Sequence, residues 1–345
     1  MVPLAVVQAP GVIKLFGEHA VVYGRLSAAI AVSLYSSVSV DTDDNEGKVH
    51  ISLPDFSLEA VFSDAELLDI ASEYSARDSI NAYVDNFKRR VDSRLLPYAT
   101  IIGRYCADGG SIGPKRFEIR SMIPVQKGLA SSAACSVALS VAAANLYEGS
   151  YTEGEVIERA LDGDRIIHRN ENAGRIDVPT SFYGGCISYS KEGGVRREEL
   201  GAGMDIAIVD TGPKKSTAET VGIVSRLHEN DTPYAERLFD SIDSCARRGI
   251  EAIRVGDLGA VGREMYANHD ALARLGVSSD GLDRLVSCAK ACGAYGAKLS
   301  GGGGGGMAII LCNEETCRCI KKEGFECTPV SVSMKGGAAF LKGRG

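Results

Sequence analysis

An α+β fold is expected from three observations. Strands and helices alternate along the chain, polar breaks of hairpin type favour antiparallel pairing, and 345 residues suffice for two domains of ordinary size. No internal repeat is visible, and the pattern does not read as a doubly wound sheet.

Residues 4–9 and 27–40 alternate or run apolar as strands, with Gly11, Gly17 and Gly24 between them. The polar break Asp41–Lys48 reads as a hairpin turn into a short strand at Val49–Leu53. Residues 64–108 carry helical spacing interrupted by Pro97. A strand at Arg116–Ile123 is followed by a small-residue helix from Ser131, then by a helix at Glu153–Arg169, a loop at Asn170–Pro179 and a strand near Cys186–Tyr189. The stretch Lys191–Gly203, charged and glycine-bearing, reads as a domain boundary. Beyond it come a strand at Asp205–Asp210 and helices at Ser216–His228, Pro233–Val255, Leu258–Leu275 and Ser279–Gly293. Short strands at Ala297–Leu299 and Met307–Cys312 bracket Gly301–Gly306, and a helix (Glu314–Glu323) and strand (Pro329–Ser333) close the chain.

Bulk properties narrow the function. A net charge of −7 provides no basic footprint for nucleic acid or an anionic membrane, and the absence of Trp disfavours a base-stacking platform. Residues 1–9 lack a basic start and Pro10–Gly11 interrupts the apolar run, so no secretory leader is expected. The apolar stretch Leu129–Tyr147 is rich in Ser and Ala and reads as a core helix. Ten cysteines without a leader point to free thiols in a reducing, cytoplasmic setting. Cys312, Cys317, Cys319 and Cys327 have a spacing that matches no common zinc module, and Cys288 and Cys292 read as core packing.

The segment Ile123–Leu139, IPVQKGLASSAACSVAL, carries the clearest chemistry. A strand, a loop holding Lys127, Gly128, Ser131 and Ser132, and a helix start together build an anion site, because the first helical N–H groups lack partners and the dipole is positive there. The alternative is an ordinary cap in which Ser131 or Ser132 satisfies the helix start. The six-glycine run satisfies G-x-G-x-x-G trivially, and no G-x-x-x-x-G-K-[ST] motif is present. Because it lies between two apolar strands, the run reads as a turn packed against a ligand or another backbone.

Three segments in order, APGVIKLFGEHAVVYG (9–24), IPVQKGLASSAA (123–134) and KLSGGGGGG (298–306), resemble the GHMP small-molecule kinases. FGEHAVVYG is the form seen in mevalonate kinases, and GDRIIHRNENAGRIDVPTSFYGG (163–185), DTGPKKST (210–217) and NHDALARLGVS (268–278) extend the resemblance over nearly the whole chain. It implies an N-terminal domain like ribosomal protein S5 domain 2 (residues 1–190) and a ferredoxin-like C-terminal domain (191–345). It also implies ATP and Mg2+, mevalonate as the small-molecule substrate, and γ-phosphoryl transfer to the 5-hydroxyl in isoprenoid synthesis. A homodimer is left open.

The resemblance makes Asp177 the general base or orienter, with Ser132 and Asp164 as magnesium ligands. The family usually has Glu where this chain has Asp164. It makes Ser121, Lys127, Gly128, Leu129, Ala130, Ser131 and Ser132 the nucleotide-phosphate site, and Glu18, His19 and Thr217 substrate-cleft residues. Where the family has a lysine after P-G, this chain has Val12, and its lysine is Lys14. Residues i and i+2 of a strand share a face about 7 Å apart, so Lys14 is expected to reach the same cleft. His168, in an apolar helical run, reads as structural. Two other readings remain: a decarboxylase of a phosphorylated mevalonate, and a relative that binds nucleotide without catalysis.

Overall fold

The computed structural model describes residues 4–42, 47–109, 113–124, 127–147, 151–212 and 215–342. Val125 and Gln126, just before the Lys127–Ser132 loop, lie outside them, as does half of the break at 41–48.

Two sheets organise the chain. In the first, β1 (Ala5–Phe16) runs antiparallel to β2 (Ser27–Thr42), the longest strand. The other edge of β2 carries β5 (Lys115–Ser121) at one end and β6 (Cys186–Ser190) at the other. β3 (Val49–Leu53) pairs parallel to β5 and antiparallel to β4 (Leu58–Phe62), while β7 (Gly194–Glu198) pairs with β6. The expected hairpin between β2 and β3 is therefore corrected: β5 lies between them, and the chain crosses over it. β4 was not anticipated, and β7 carries the first sheet into the charged stretch after Lys191.

The second sheet is wholly antiparallel, in the order β11-β8-β10-β9, formed by β8 (Asp205–Asp210), β9 (Gly296–Leu299), β10 (Met307–Leu311) and β11 (Cys327–Ser331). Taken as strands one to four, this is the 4-1-3-2 order of a ferredoxin-like layer, with α7 (Thr217–Asn230), α8 (Thr232–Val255), α9 (Leu258–Arg274) and α10 (Asp280–Ala291) between its first two strands. Pro329 is tolerated because β11 is an edge strand with β8 as its ladder partner.

The region 64–108 folds as α1 (Asp64–Ser75), α2 (Ile80–Phe87) and α3 (Leu96–Ala107). Pro97 opens α3 rather than breaking a helix, as suits a residue without an N–H. α4 (Ser131–Leu146) is buried from Ala133 to Ala144, and its small side chains let it pack against β1, β2, α3 and α5 (Glu153–His168). α6 (Asp177–Tyr183) starts inside the expected loop Asn170–Pro179, because Pro179 sits in the first helical turn, where it does no harm. Among the described residues no helix is long and apolar enough to cross a membrane.

The expectation that all thiols are free is corrected. Cys292 at the end of α10 and Cys319 on α11 (Glu314–Lys322) form a disulfide, their Cα atoms 5.7 Å apart, within ordinary bridging distance. The other eight cysteines form no disulfide.

Candidate active site

Most helices begin on a side-chain cap, with full capping boxes at Ser63, Thr152 and Ser216. α4 does not. Its cap residue is Ala130, held at a φ of 52°, and neither serine caps the helix. Ser131 Oγ instead lies 2.9 Å from Ser121 Oγ, and Ser132 Oγ lies 3.0 Å from His168 Nε2. The ordinary-cap alternative thus fails, and among the described residues no side chain caps the first N–H groups of the helix. The loop before it is anchored to β1, where the Val12 N–H donates to the Leu129 carbonyl at 3.0 Å. Gly128, with a φ of 76°, sits against Ser300 and Gly301 of the glycine segment. Lys127 pairs with Asp210 at the end of β8.

β1 supplies the central cation. Val12 is buried with Ala29, Ile176 and Ile187, and two residues on, the Lys14 ammonium donates to Asp177 Oδ2 at 2.9 Å. A register shift between Lys14 and Phe16 interrupts the pairing with β2 beside this lysine. Burial pushes the Lys14 ammonium down, but the carboxylates of Asp177, Glu18 and Asp164 more than offset it and leave its pKa above the ordinary value. Burial raises the Asp164 pKa most, aided by the charge of Asp177 and opposed by His168, Ser132 and Lys14. Asp164 Oδ1 and Asp177 Oδ1 are buried without hydrogen-bond donors.

This chemistry fits a hard divalent cation at the helix start. Ser132 and Asp164 offer two oxygens beside an uncapped helix, and phosphate oxygens and water would complete the shell. Among the described residues no three His, Cys, Asp or Glu side chains converge on a metal-sized site, so a cation here would depend on the nucleotide.

The turn after β1 holds Glu18 and His19 against the glycine segment. Gly17 permits it, with a φ of 91° and no room for a Cβ beside the Leu26 carbonyl. Glu18 Oε1 pairs with Lys298, and His19 Nε2 donates to the Gly302 carbonyl at 3.0 Å. A Cβ on Gly302 would lie 3.3 Å from Thr217 Oγ1, which places Thr217 across the same glycines. The run is packed as the sequence suggested: a Cβ on Gly303 would come within 2.1 Å of the Val277 carbonyl. Burial holds His19 and His269 below the ordinary value of 6.5.

A histidine whose folded pKa is depressed stabilises the fold above its unfolded pKa, because only the unfolded chain takes up the proton below it. Tm is therefore expected to fall as pH drops below about 6.5, and His269→Asn should flatten that slope in a thermal-melt series from pH 7.5 to 5.

Sequence reasoning missed two residues here. His168 was read as structural, yet it is exposed, with Nε2 3.6 Å from Asp164 Oδ1 as well as at Ser132. Its position four residues after Asp164 on α5, one helical turn away, was the available clue. Lys298 lies inside a quoted motif, but a lone lysine in an apolar strand gave no partner.

The GHMP kinase N-terminal domain model matches residues 97–185 and the GHMP kinase C-terminal model residues 250–318. The mevalonate kinase of Thermococcus gammatolerans is 32% identical over 89% of each chain, and that of Saccharolobus solfataricus 30% identical over 87% of each. The chain belongs to the mevalonate kinases of the GHMP kinase family. The human mevalonate kinase is 27% identical over 96% of this chain and 93% of its own. The crystal structure of the Methanococcus jannaschii mevalonate kinase superposes with a TM-score of 0.77 at 24% identity, covering 95% of this chain and 98% of the other. The two-domain GHMP kinase fold is therefore shown, while a mevalonate pyrophosphate decarboxylase from Streptococcus pyogenes is more distant, at 0.66 and 13%.

Proposed function

We propose that this mevalonate kinase family member transfers the γ-phosphoryl group of ATP to the 5-hydroxyl of mevalonate. The observation that carries the reading is the Lys14–Asp177 pair, set in the same charge cluster as Asp164 and, through it, Ser132 at the uncapped start of α4. Phosphoryl transfer needs charge neutralisation and in-line positioning more than covalent chemistry, and these residues supply both.

The loop residues Lys127–Ser132 and Ser121 cradle the nucleotide phosphates. Asp177 accepts the proton of the 5-hydroxyl or aims it, as the bond from that oxygen to the γ-phosphorus forms and the bond to the ADP oxygen breaks. Lys14 holds the Asp177 carboxylate and balances negative charge gathering in the cleft. Ser132 and Asp164 would hold Mg2+, which when bound neutralises the phosphate oxygens. Glu18, His19 and Thr217 line the acceptor side.

A coupled ADP-release assay tests this with mevalonate, 5-phosphomevalonate, the diphosphate and a panel of sugars. ADP and 5-phosphomevalonate are expected in equal amounts with mevalonate. Release of CO2 from the diphosphate would establish the decarboxylase instead, and ATP binding without turnover on any acceptor would establish a non-catalytic relative.

A further inference from the structure

Two segments from different sheets meet along one face. Lys298 lies on β9, and Ser300 and Gly302 lie in the turn that follows it. Each engages a different cleft residue: Lys298 Nζ reaches Glu18 Oε1, Ser300 Oγ donates to the Lys14 carbonyl at 3.3 Å, and the Gly302 carbonyl accepts from His19 at 3.0 Å.

The first contact is the unusual one. Lys298 is fully buried and Glu18 is 3% exposed. A buried ion pair contributes little net stability over an apolar pair of the same volume, so packing alone does not account for it. The ammonium is fixed from a second side by the Leu299 carbonyl at 2.6 Å. Glu18 Oε1 is thereby committed, while Oε2 is buried with no donor. An ionised carboxylate oxygen only accepts, so the group that satisfies it must be a donor. Water or a hydroxyl of the acceptor can supply such a donor.

We propose that Lys298 is a positioning residue, holding Glu18 so that its second carboxylate oxygen accepts a hydrogen bond from the non-reacting hydroxyl of the acceptor. The inference rests on the proposed kinase reading and assigns Glu18 a selectivity role within it. Lys298 does not touch the substrate. It acts by orienting and neutralising the residue that does.

The test compares mevalonate with its 3-deoxy analogue, 5-hydroxy-3-methylpentanoate, in the full-length enzyme. A hydrogen bond to a charged group is worth about ten- to hundredfold in affinity, so the wild type should show a KM for the analogue higher by about that factor. In Lys298→Met the KM for mevalonate should rise toward that of the analogue, with the analogue's KM and both kcat values little changed. Glu18→Gln/Lys298→Met, which removes both buried charges together and so guards against misfolding, should lose the same discrimination and be no worse than Glu18→Gln alone. Either variant retaining the wild-type preference for mevalonate, or losing both substrates equally, overturns the inference. Failure of the wild type to phosphorylate mevalonate would instead overturn the kinase reading.

Discussion

Replacing Asp177 by Asn is expected to lower kcat by about a hundred- to ten-thousandfold, the range associated with a positioned proton acceptor, while the protein remains folded. Asn keeps the shape and one acceptor oxygen toward Lys14, so the start of α6 is not disturbed. What it loses is the charge that takes the hydroxyl proton. The Lys14 ammonium would remain near Glu18 and Asp164, both of which contribute to its elevated pKa, so it is not left unpaired. A thermal melt within a few degrees of wild type alongside the collapse in kcat would identify a chemical defect. A parallel loss of Tm would point to a structural role for the pair.

The second large effect is expected from Lys14→Met, with kcat reduced about a hundred- to thousandfold, comparable to removal of one charge-stabilising donor. The change is also expected to cost stability, because Asp177 and Asp164 would then face each other without the cation beside them, while Glu18 keeps Lys298. The Lys14 side chain is 29% exposed, so water screens part of that repulsion, and about 1–2 kcal/mol is a reasonable scale, below the 3–5 of a fully buried pair. Lys14→Arg should recover much of the stability and less of the rate, since a planar guanidinium does not reproduce a point charge. Because the Lys14 pKa is raised, its favourable charge is fully present below the ordinary value of 10.5 and is lost only as pH rises beyond it. Any activity loss between pH 7 and 9 must have another origin. Wild-type turnover by Lys14→Met would show that Val12 marks a site needing no lysine at all.

Much of this cleft was legible because its cues are local. Gly128, the paired serines and the alanine-rich run announce a loop and helix start within a dozen residues. Lys14 could be placed because strand periodicity is fixed, whatever the partner. The glycine run was readable as packed because apolar strands flank it. Other features depend on what lies across the fold. The β2–β3 hairpin failed because strand order is decided by β5, some 60 residues on, which no turn signature encodes. β4 is a short edge strand with alternating burial, and its weak pattern did not rise above that of a loop. α6 was hidden because Pro179 reads as a breaker until the helix start is known. The Lys298–Glu18 pair joins residues 280 positions apart, and the Cys292–Cys319 bridge joins separate helices, so neither had a sequence cue. His168 was misjudged since a helical run tells which face is apolar only after the core is assembled.

A crystal structure with mevalonate, a non-hydrolysable ATP analogue and Mg2+ would test the account most directly. The triphosphate is expected on the loop 127–132 with the 5-hydroxyl within about 2.6–3.2 Å of an Asp177 carboxylate oxygen and Lys14 still bound to that carboxylate. A nucleotide seated elsewhere, with Asp177 remote from the acceptor hydroxyl, would contradict it.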